Sequence, residues 1–229
     1  VEYFLDGLKH AFILLLTLDP ETFSAISVSL KASTISLFFS LLVGLPIGFF
    51  IGFYNFKGKK VVRNILNSLL SLPTVVVGLL CYILINSKGP MGDFGLLFTI
   101  KGIAFGQFFL ATPIIVTLTA SAVEAMDSRL SEELSSLGAS KYQVPFTYLY
   151  EAKGSIFTAS VTGFGRVFGE VGLSMMIGGN IKWHTRTITT AIALETSKGE
   201  FALGLALGIV LMSISLFINF LSNYITEKF

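Results

Sequence analysis

Residues 32–56 read ASTISLFFSLLVGLPIGFFIGFYNF, and residues 57–63 read KGKKVVR. The first run carries no charge over 25 residues, and about 20 predominantly apolar residues suffice for a helix to cross a bilayer. The second holds Lys57, Lys59, Lys60 and Arg63 and no acid. A long uncharged run followed by a basic cluster reads as a membrane span ending on the cytoplasmic side.

Outward from this pair the pattern repeats. Residues 64–87, 102–123 and 201–226 are also free of charge, and 154–178 is interrupted only by Arg166 and Glu170. The runs are too long for strands and lack the alternation of barrel strands. The sequence therefore predicts five transmembrane helices, at about 24–54, 64–87, 102–124, 154–178 and 201–226, in an all-α integral membrane protein. Pro46, Pro73 and Pro113 fall inside the first three, where proline is tolerated and kinks the helix. With the basic linker inside, the N-terminus is outside, segment 125–153 is cytoplasmic, loop 179–200 is outside and the C-terminus is cytoplasmic. Lys88, Lys101, Lys182, Arg186 and Lys198 fall in the outer loops, so the bias is modest. Trp183 suits an interfacial anchor.

Composition agrees. Of 229 residues, 53% are apolar and 13% charged, against about 25% charged in a soluble domain, and mean hydropathy is +0.78. Too few charges remain for the polar shell of a soluble enzyme, a nucleic-acid binder or a disordered chain. A net charge of +2 is too small for a general polyanion surface. A single cysteine excludes an internal disulfide framework and a cysteine-cluster metal site. Residues 1–18 hold an apolar run of only 8 residues (11–18). With no small-x-small cleavage site they read better as an interfacial helix than as a signal peptide. Val1 leaves open that they are part of a trimmed segment. No repeat or long linker divides the chain, so residues 1–229 read as a single transmembrane domain.

Small residues recur four apart at Gly44, Gly48 and Gly52, at Gly102 and Gly106, at Gly165 and Gly169, and at Gly204 and Gly208. Such spacing lets membrane helices approach closely. Catalytic signals are lacking. The nearest string to a phosphate-binding loop, residues 52–60, has its glycines misplaced and Lys60 where a hydroxyl belongs. His10 and His184 stand far apart, no serine or cysteine has a nucleophile's context, and Cys81 reads as packing. The chain is expected to be non-catalytic, with no metal site and no cofactor of its own, so that any work it does draws its energy from elsewhere.

Segment 126–153 reads MDSRLSEELSSLGASKYQVPFTYLYEAK. Asp127 can cap a helix, Leu130, Leu134 and Leu137 form an amphipathic face, and Gly138 stops the helix before Ser140 starts another. Glu132 and Gly138, with Glu133 and Leu134 between, resemble the EAA loop of ATP-binding-cassette importer permeases. Residues 163–181, GFGRVFGEVGLSMMIGGNI, and 186–199, RTITTAIALETSKG, resemble the tungstate-type (TupB-like) permeases, within the group that also holds molybdate and sulfate permeases. The similarity runs from about residue 20 to the C-terminus. It implies a type I importer permease fold of the MetI and ModB kind. It implies a coupling loop at about 126–145, with Glu132, Glu133, Leu137, Gly138, Ala139 and Ser140 docking on a separate ATPase that carries ATP and Mg. It also implies a homodimer of permeases, two ATPase subunits and an extracytoplasmic oxyanion-binding protein, in the cell membrane and without nucleic acid.

For the pathway and its gate the candidates are Arg166, Glu170, Met175, Met176, Asn180 and Thr187. Arg166 and Glu170, four apart, share a helix face. Arg166 has the charge and donors to attract an oxyanion. A carboxylate beside it weakens anion binding, and conduction needs weak sites, so the pair reads better as a lock on the bundle. Thr185, Thr187, Thr189 and Thr190 can contact a passing oxyanion or cap a short re-entrant helix. Tungstate is the expected cargo, with molybdate or sulfate as alternatives. A secondary transporter or channel is the distant alternative, and the lack of a repeat argues against it.

Overall fold

The computed structural model describes residues 2–126, 129–140 and 143–226, and for 2–4, 8, 11, 14, 15, 129, 131, 132, 225 and 226 the backbone alone. Its elements are helical: α1 (Glu2–Leu16), α2 (Pro20–Phe53), α3 (Lys59–Leu70), α4 (Thr74–Ile85), α5 (Ile100–Glu124), α6 (Arg129–Ser136), α7 (Gln143–Glu151), α8 (Lys153–Phe168), α9 (Gly172–Gly178), α10 (Ile188–Ser197) and α11 (Phe201–Thr226), with a 3-10 turn at Gly92–Phe94. Asp127, expected to cap a helix, lies outside the described residues.

Among the described residues three helices are long and apolar enough to cross a membrane: Pro20–Phe53, Ile100–Glu124 and Phe201–Tyr224. They coincide with three of the expected spans, and Pro46 and Pro113 do lie inside α2 and α5. The other two expected spans divide. Over 64–87, α3 and α4 meet at 96°. Pro73 stands at the N-cap of α4 and not within a helix, because proline turns the residue before it away from helical backbone. Over 154–178, α8 ends at Phe168 and α9 begins at Gly172.

The α2–α5 pair is the spine. Ser40 Oγ donates to the Phe108 carbonyl at 3.4 Å and Thr112 Oγ1 donates to Ser40 Oγ at 3.2 Å. Further along, a β-carbon on Gly44 would meet Ile115 at 2.9 Å, one on Gly48 the Val116 carbonyl at 2.7 Å, and one on Gly52 the Ala120 carbonyl at 2.7 Å. Residue numbers rise together along both helices, so α2 and α5 run the same way, and α3 and α4 return the chain between them. The glycine stripe exists because two backbones approach within a side chain's width. Gly106 instead makes room for the side chains of Leu173 and Ile177 of α9, and Gly102 for the Leu96 carbonyl and Ile177.

Cations close the far end. Lys59 Nζ donates to the Gly52 and Tyr54 carbonyls at the C-terminus of α2, where the helix dipole favours positive charge. It also pairs with Glu124 Oε1 at 3.0 Å, and Arg63 reaches Glu124 Oε2 at 3.3 Å, the Thr117 carbonyl at 3.1 Å and Ser121 Oγ at 2.7 Å. Two of the four linker cations thus fasten α2 and α3 to α5. Cys81 is buried with Val77, Ile85, Leu110, Val167, Leu173 and Ile177, as a packing residue should be. α1 lies along α11, with Gly7 against Leu205.

Gly48→Ala should lower stability by about 1–3 kcal/mol, because the new methyl meets backbone that cannot turn aside. Gly208→Ala, at a glycine with open space around it, should leave the thermal midpoint in detergent unchanged. Equal midpoints for the two variants would show that the α2–α5 spine is not tightly packed.

Candidate functional site: a broken helix and a glycine-bent loop

The break between α8 and α9 is the chemically dense part of the bundle. Backbone carbonyls and N–H groups freed by a break in an apolar layer must find partners inside the protein. Gln107 Nε2 of α5 donates to the Val167 carbonyl at 3.0 Å. Thr189 Oγ1 of α10 donates to the Glu170 carbonyl at 2.8 Å. Glu170 Oε1 accepts from the Leu173 N–H, at 3.3 Å, in the first turn of α9. Its other oxygen pairs with Arg166 at 3.0 Å. Glu170 is 5% exposed and Arg166 38%, so the carboxylate is buried at the break while the guanidinium lies at the protein surface. The expected pair forms, and it also holds the break.

The threonines join this arrangement. Thr187 is the N-cap of α10, in a reciprocal capping box with Thr190. The Thr187 and Thr189 hydroxyls lie 2.9 Å apart, and the Ile188 N–H donates to Ser29 Oγ of α2 at 2.9 Å. Thr185 donates to the Gly178 carbonyl and accepts from the Ile181 N–H. All four threonines are buried. Thr187 and Thr190 cap α10, while the Thr185 and Thr189 hydroxyls bond to the Gly178 and Glu170 carbonyls, so all four hydroxyls are turned to protein. Gly179 closes α9 in left-handed backbone at φ +68, next to the end predicted for the span at 178. Asn180 Nδ2 reaches the Thr190 carbonyl at 3.4 Å. Met175 is 39% exposed, while Met176 lies against α4, where a β-carbon on Gly78 would meet its sulfur at 3.3 Å.

Along α8, Ser155, Thr158, Thr162, Gly165, Arg166 and Gly169 are exposed at helical spacing. Gly165 has nothing within 4 Å of an added β-carbon. One face of a helix in an apolar bundle is thus polar, small and turned away from the rest of the chain.

At the opposite end lies the bent loop. The Ala139 N–H bonds to the Leu134 carbonyl and the Gly138 N–H to the Ser135 carbonyl, at 2.9 and 3.0 Å. Those two bonds, with φ +83 at Gly138, make a Schellman stop to α6. Gln143 Oε1 then accepts from the Ser140 N–H at 2.7 Å, starting α7. Leu130 and Leu134 pack with Val123, Val144 and Tyr148, as the amphipathic face requires. Leu137 does not follow them: it sits in the turn, 84% exposed. The helix ends before that position returns to the inner face. Leu137, Gly138, Ala139, Gln143, Phe146 and Thr147 line an open hollow of 610 Å³, into which Phe146, 73% exposed, brings a second apolar group. Glu133 is exposed, and the side chain of Glu132 lies outside the described residues.

Several participants had weak signals or none in the sequence. Gln107, an amide inside an apolar run, could have been flagged on polarity alone. Ser29 and Glu21 could not. Glu21 pairs with Lys182 at 2.6 Å and with Arg186, contacts that join residues about 160 positions apart in the chain. Among the described residues no three metal-ligating side chains come together.

Comparison with known proteins follows the same lines. Residues 44–229 match the family described as binding-protein-dependent transport system inner membrane component. The chain is 45% identical to the tungstate uptake system permease TupB of Campylobacter jejuni, over 97% of this chain and 93% of the relative. It is 38% identical to TupB of Peptoclostridium acidaminophilum, over 96% of each. Among solved structures, an inward-facing form of the MetNI methionine ABC transporter superposes with a TM-score of 0.76 at 18% identity, covering 93% of this chain and 97% of that one, a likeness of fold.

Arg166→Ala should destabilise the protein by about 1–3 kcal/mol, since it leaves a buried carboxylate without its charged partner. Adding Glu170→Gln should recover part of that loss. A double variant no more stable than Arg166→Ala alone would mean that the pair does not hold the break.

Proposed function

This chain belongs to the family of binding-protein-dependent transport system inner membrane components, and from that premise we propose that it is the permease of an ATP-binding-cassette importer for a tetrahedral oxyanion, tungstate first. The observation that carries the class is the glycine-bent loop. A Schellman stop at Gly138 lifts Leu137 and Phe146 out of the bundle beside an open hollow. Exposed apolar groups on a fixed bend suit docking by a second protein. In this reading Glu133, Leu137, Gly138, Ala139 and Ser140 meet a separate ATPase, with Glu132 beside them. ATP and Mg act on that partner, and this subunit does no chemistry.

Tungstate as cargo rests on the names of the relatives. Selectivity is assigned to the extracytoplasmic binding protein, because a tetrahedral dianion needs only weak, transient contacts on its way through. The polar face of α8 supports that division of labour. Its cation, Arg166, is committed to Glu170, so the face is hydrophilic without being a strong anion trap. Two copies would place these faces opposite each other across a shared pathway. Molybdate or sulfate in place of tungstate leaves this account of the chain unchanged.

The orientation follows from the basic linker, which puts α3, α6 and α7 at the cytoplasmic end, the N-terminus outside and the C-terminus inside. The parallel course of α2 and α5 supports it, because both then run inward and the coupling loop follows α5 directly. ATP binding draws the two docked loops together, and the permease pair changes which end is open. The whole chain, 1–229, acts as a single permease domain.

Purification in mild detergent should recover the chain with an ATPase at one to one, in a particle of two plus two. Uptake of tungstate should fall when ATP is depleted and persist when ion gradients are collapsed. Uptake that follows the ion gradient and ignores ATP would establish a secondary transporter in its place. Gly138→Arg should cost about 1–2 kcal/mol in left-handed backbone strain, since the space around this glycine is open. The same variant should abolish ATP-driven uptake by obstructing the docking face. Normal uptake by a folded Gly138→Arg protein would refute the docking role.

A further inference from the structure

On the flank of the α2–α5 spine lies an apolar groove of 560 Å³, lined by Ile35, Phe39 and Val43 of α2, by Ala104, Phe105 and Phe108 of α5, and by Leu96 and Lys101. Ile35, Phe39 and Val43 recur every four residues, so the groove runs about 12 Å along the helices. Phe39 and Val43 are 50% and 38% exposed, so the groove is open to the surroundings along its length. Both helices are long and apolar enough to cross a membrane.

The groove has one charged end. Lys101 stands in the first turn of α5, where Thr99 caps the helix through the Gly102 N–H. It is exposed, and among the described residues no carboxylate pairs with it. The same lysine and Leu96 also line a second hollow, of 460 Å³, with Thr99, Ile100 and His184. Two cavities thus meet at Lys101. One is apolar and runs along the spine. The other is mixed: beside Phe94 and Phe98 it holds a cation, an imidazole and the positive end of a 25-residue helix.

We propose that this double site holds one phospholipid, its acyl chain in the groove between α2 and α5 and its phosphate at Lys101, His184 and the N-terminus of α5. The chemistry selects the occupant. A helix from another protein would fill the groove but would make no use of the charged end. A free phosphate would use the charged end and leave the groove bare. A phospholipid has an anionic phosphate at one end of a chain of methylenes, in the same order as the site. Lys101 also lies at the starting end of α5, where the head groups of a membrane meet helix termini. An anionic phospholipid, with no compensating cation on its head group, fits Lys101 best. A lipid held there lies against both members of the spine.

The test uses the full chain with its co-purifying subunits, in nanodiscs of phosphatidylcholine doped with phosphatidylglycerol, and native mass spectrometry to count the lipid kept on release. Phosphatidylglycerol should be retained in preference to phosphatidylcholine. Lys101→Ala should lower its retention about fivefold, the loss of about 1 kcal/mol that one basic residue contributes at an anionic lipid surface. Val43→Trp, which fills the groove from its exposed side, should lower it as well. Both substitutions are at exposed positions, so the variants should elute and melt like the parent. Four results overturn the proposal: no retained lipid; equal retention of the two lipids; retention untouched by both variants; or displacement by glycerol phosphate alone, which would make the site one for a free anion. Retention of another protein chain across the groove, lost in Val43→Trp, would overturn it too.

Discussion

Backbone polar groups inside an apolar layer must be paired within the protein, and the bundle is arranged around one place where that is hardest to achieve. Between Phe168 and Gly172 the helix that would have run from 154 to 178 is interrupted, and its carbonyls and N–H groups lose their regular partners. Three side chains, two from other helices and one from the break, supply replacements: Gln107 for the Val167 carbonyl, Thr189 for the Glu170 carbonyl, and Glu170 itself for the Leu173 N–H. Each donor or acceptor is in turn fixed. Gln107 is on α5, which α2 clasps through its glycines. Thr189 is on α10, whose cap bonds to Thr190 and whose first N–H bonds to Ser29 of α2. The break therefore joins α2, α5, α8, α9 and α10 into a common unit, and the charge on Arg166 is a late addition to it.

That arrangement changes the meaning of the intramembrane charges. An arginine on a polar face of a transport helix invites assignment as the anion's ligand. Here its guanidinium meets a carboxylate that is itself capping α9, and moving it onto a dianion would leave Glu170 buried and unpaired. The energy of that exchange opposes tight anion binding. A permease works better without such a site, because an anion bound strongly in passage leaves slowly. One ion pair thus both stabilises the break and takes up the cation that would otherwise be free to bind an anion.

The sequence makes the spans at 24–54, 102–124 and 201–226 legible because an uncharged run of that length has few other uses. It also makes the stop at Gly138 legible, since a glycine after an amphipathic turn has a local physical reason. The bend at 71–73 and the break at 169–171 were read as continuous helix for a related reason. Hydropathy is blind to backbone direction, and nothing in it separates Pro73, at the N-cap of α4, from Pro46 and Pro113 inside α2 and α5. At 169–171 the breaking signal is one glycine among many, and what stabilises the break comes from Gln107 and Thr189, far away in sequence. Leu137 was misplaced by one step of the same kind: a 3.6-residue period assigns a face only while the helix lasts, and this helix ends at Ser136.

The basic end of the bundle and the loop that rests on it differ in how firmly they are built, and the difference bears on where motion can begin. At the basic end, Glu124 receives Lys59 and Arg63, and these cations also bond to the carbonyls of α2 and α5, so the end of the spine is clamped. The loop beyond it is held differently: α6 and α7 rest on the spine through Val123, Phe49 and Phe53, with apolar contact and no ion pair to the spine among the described residues. A force applied at Leu137 and Phe146 therefore acts on a lever that slides on apolar packing while the spine beneath stays clamped. α8 follows α7 after the single residue Ala152, so displacement of the loop passes directly into the helix that carries the polar face and ends at the break. The segment between loop and break is the short, continuous α8, and its far end is anchored by side-chain hydrogen bonds and an ion pair, whose geometry tolerates small rotations better than close-packed glycine does. Motion driven from the loop should on these grounds turn α8 about the break and leave α2 and α5 in place.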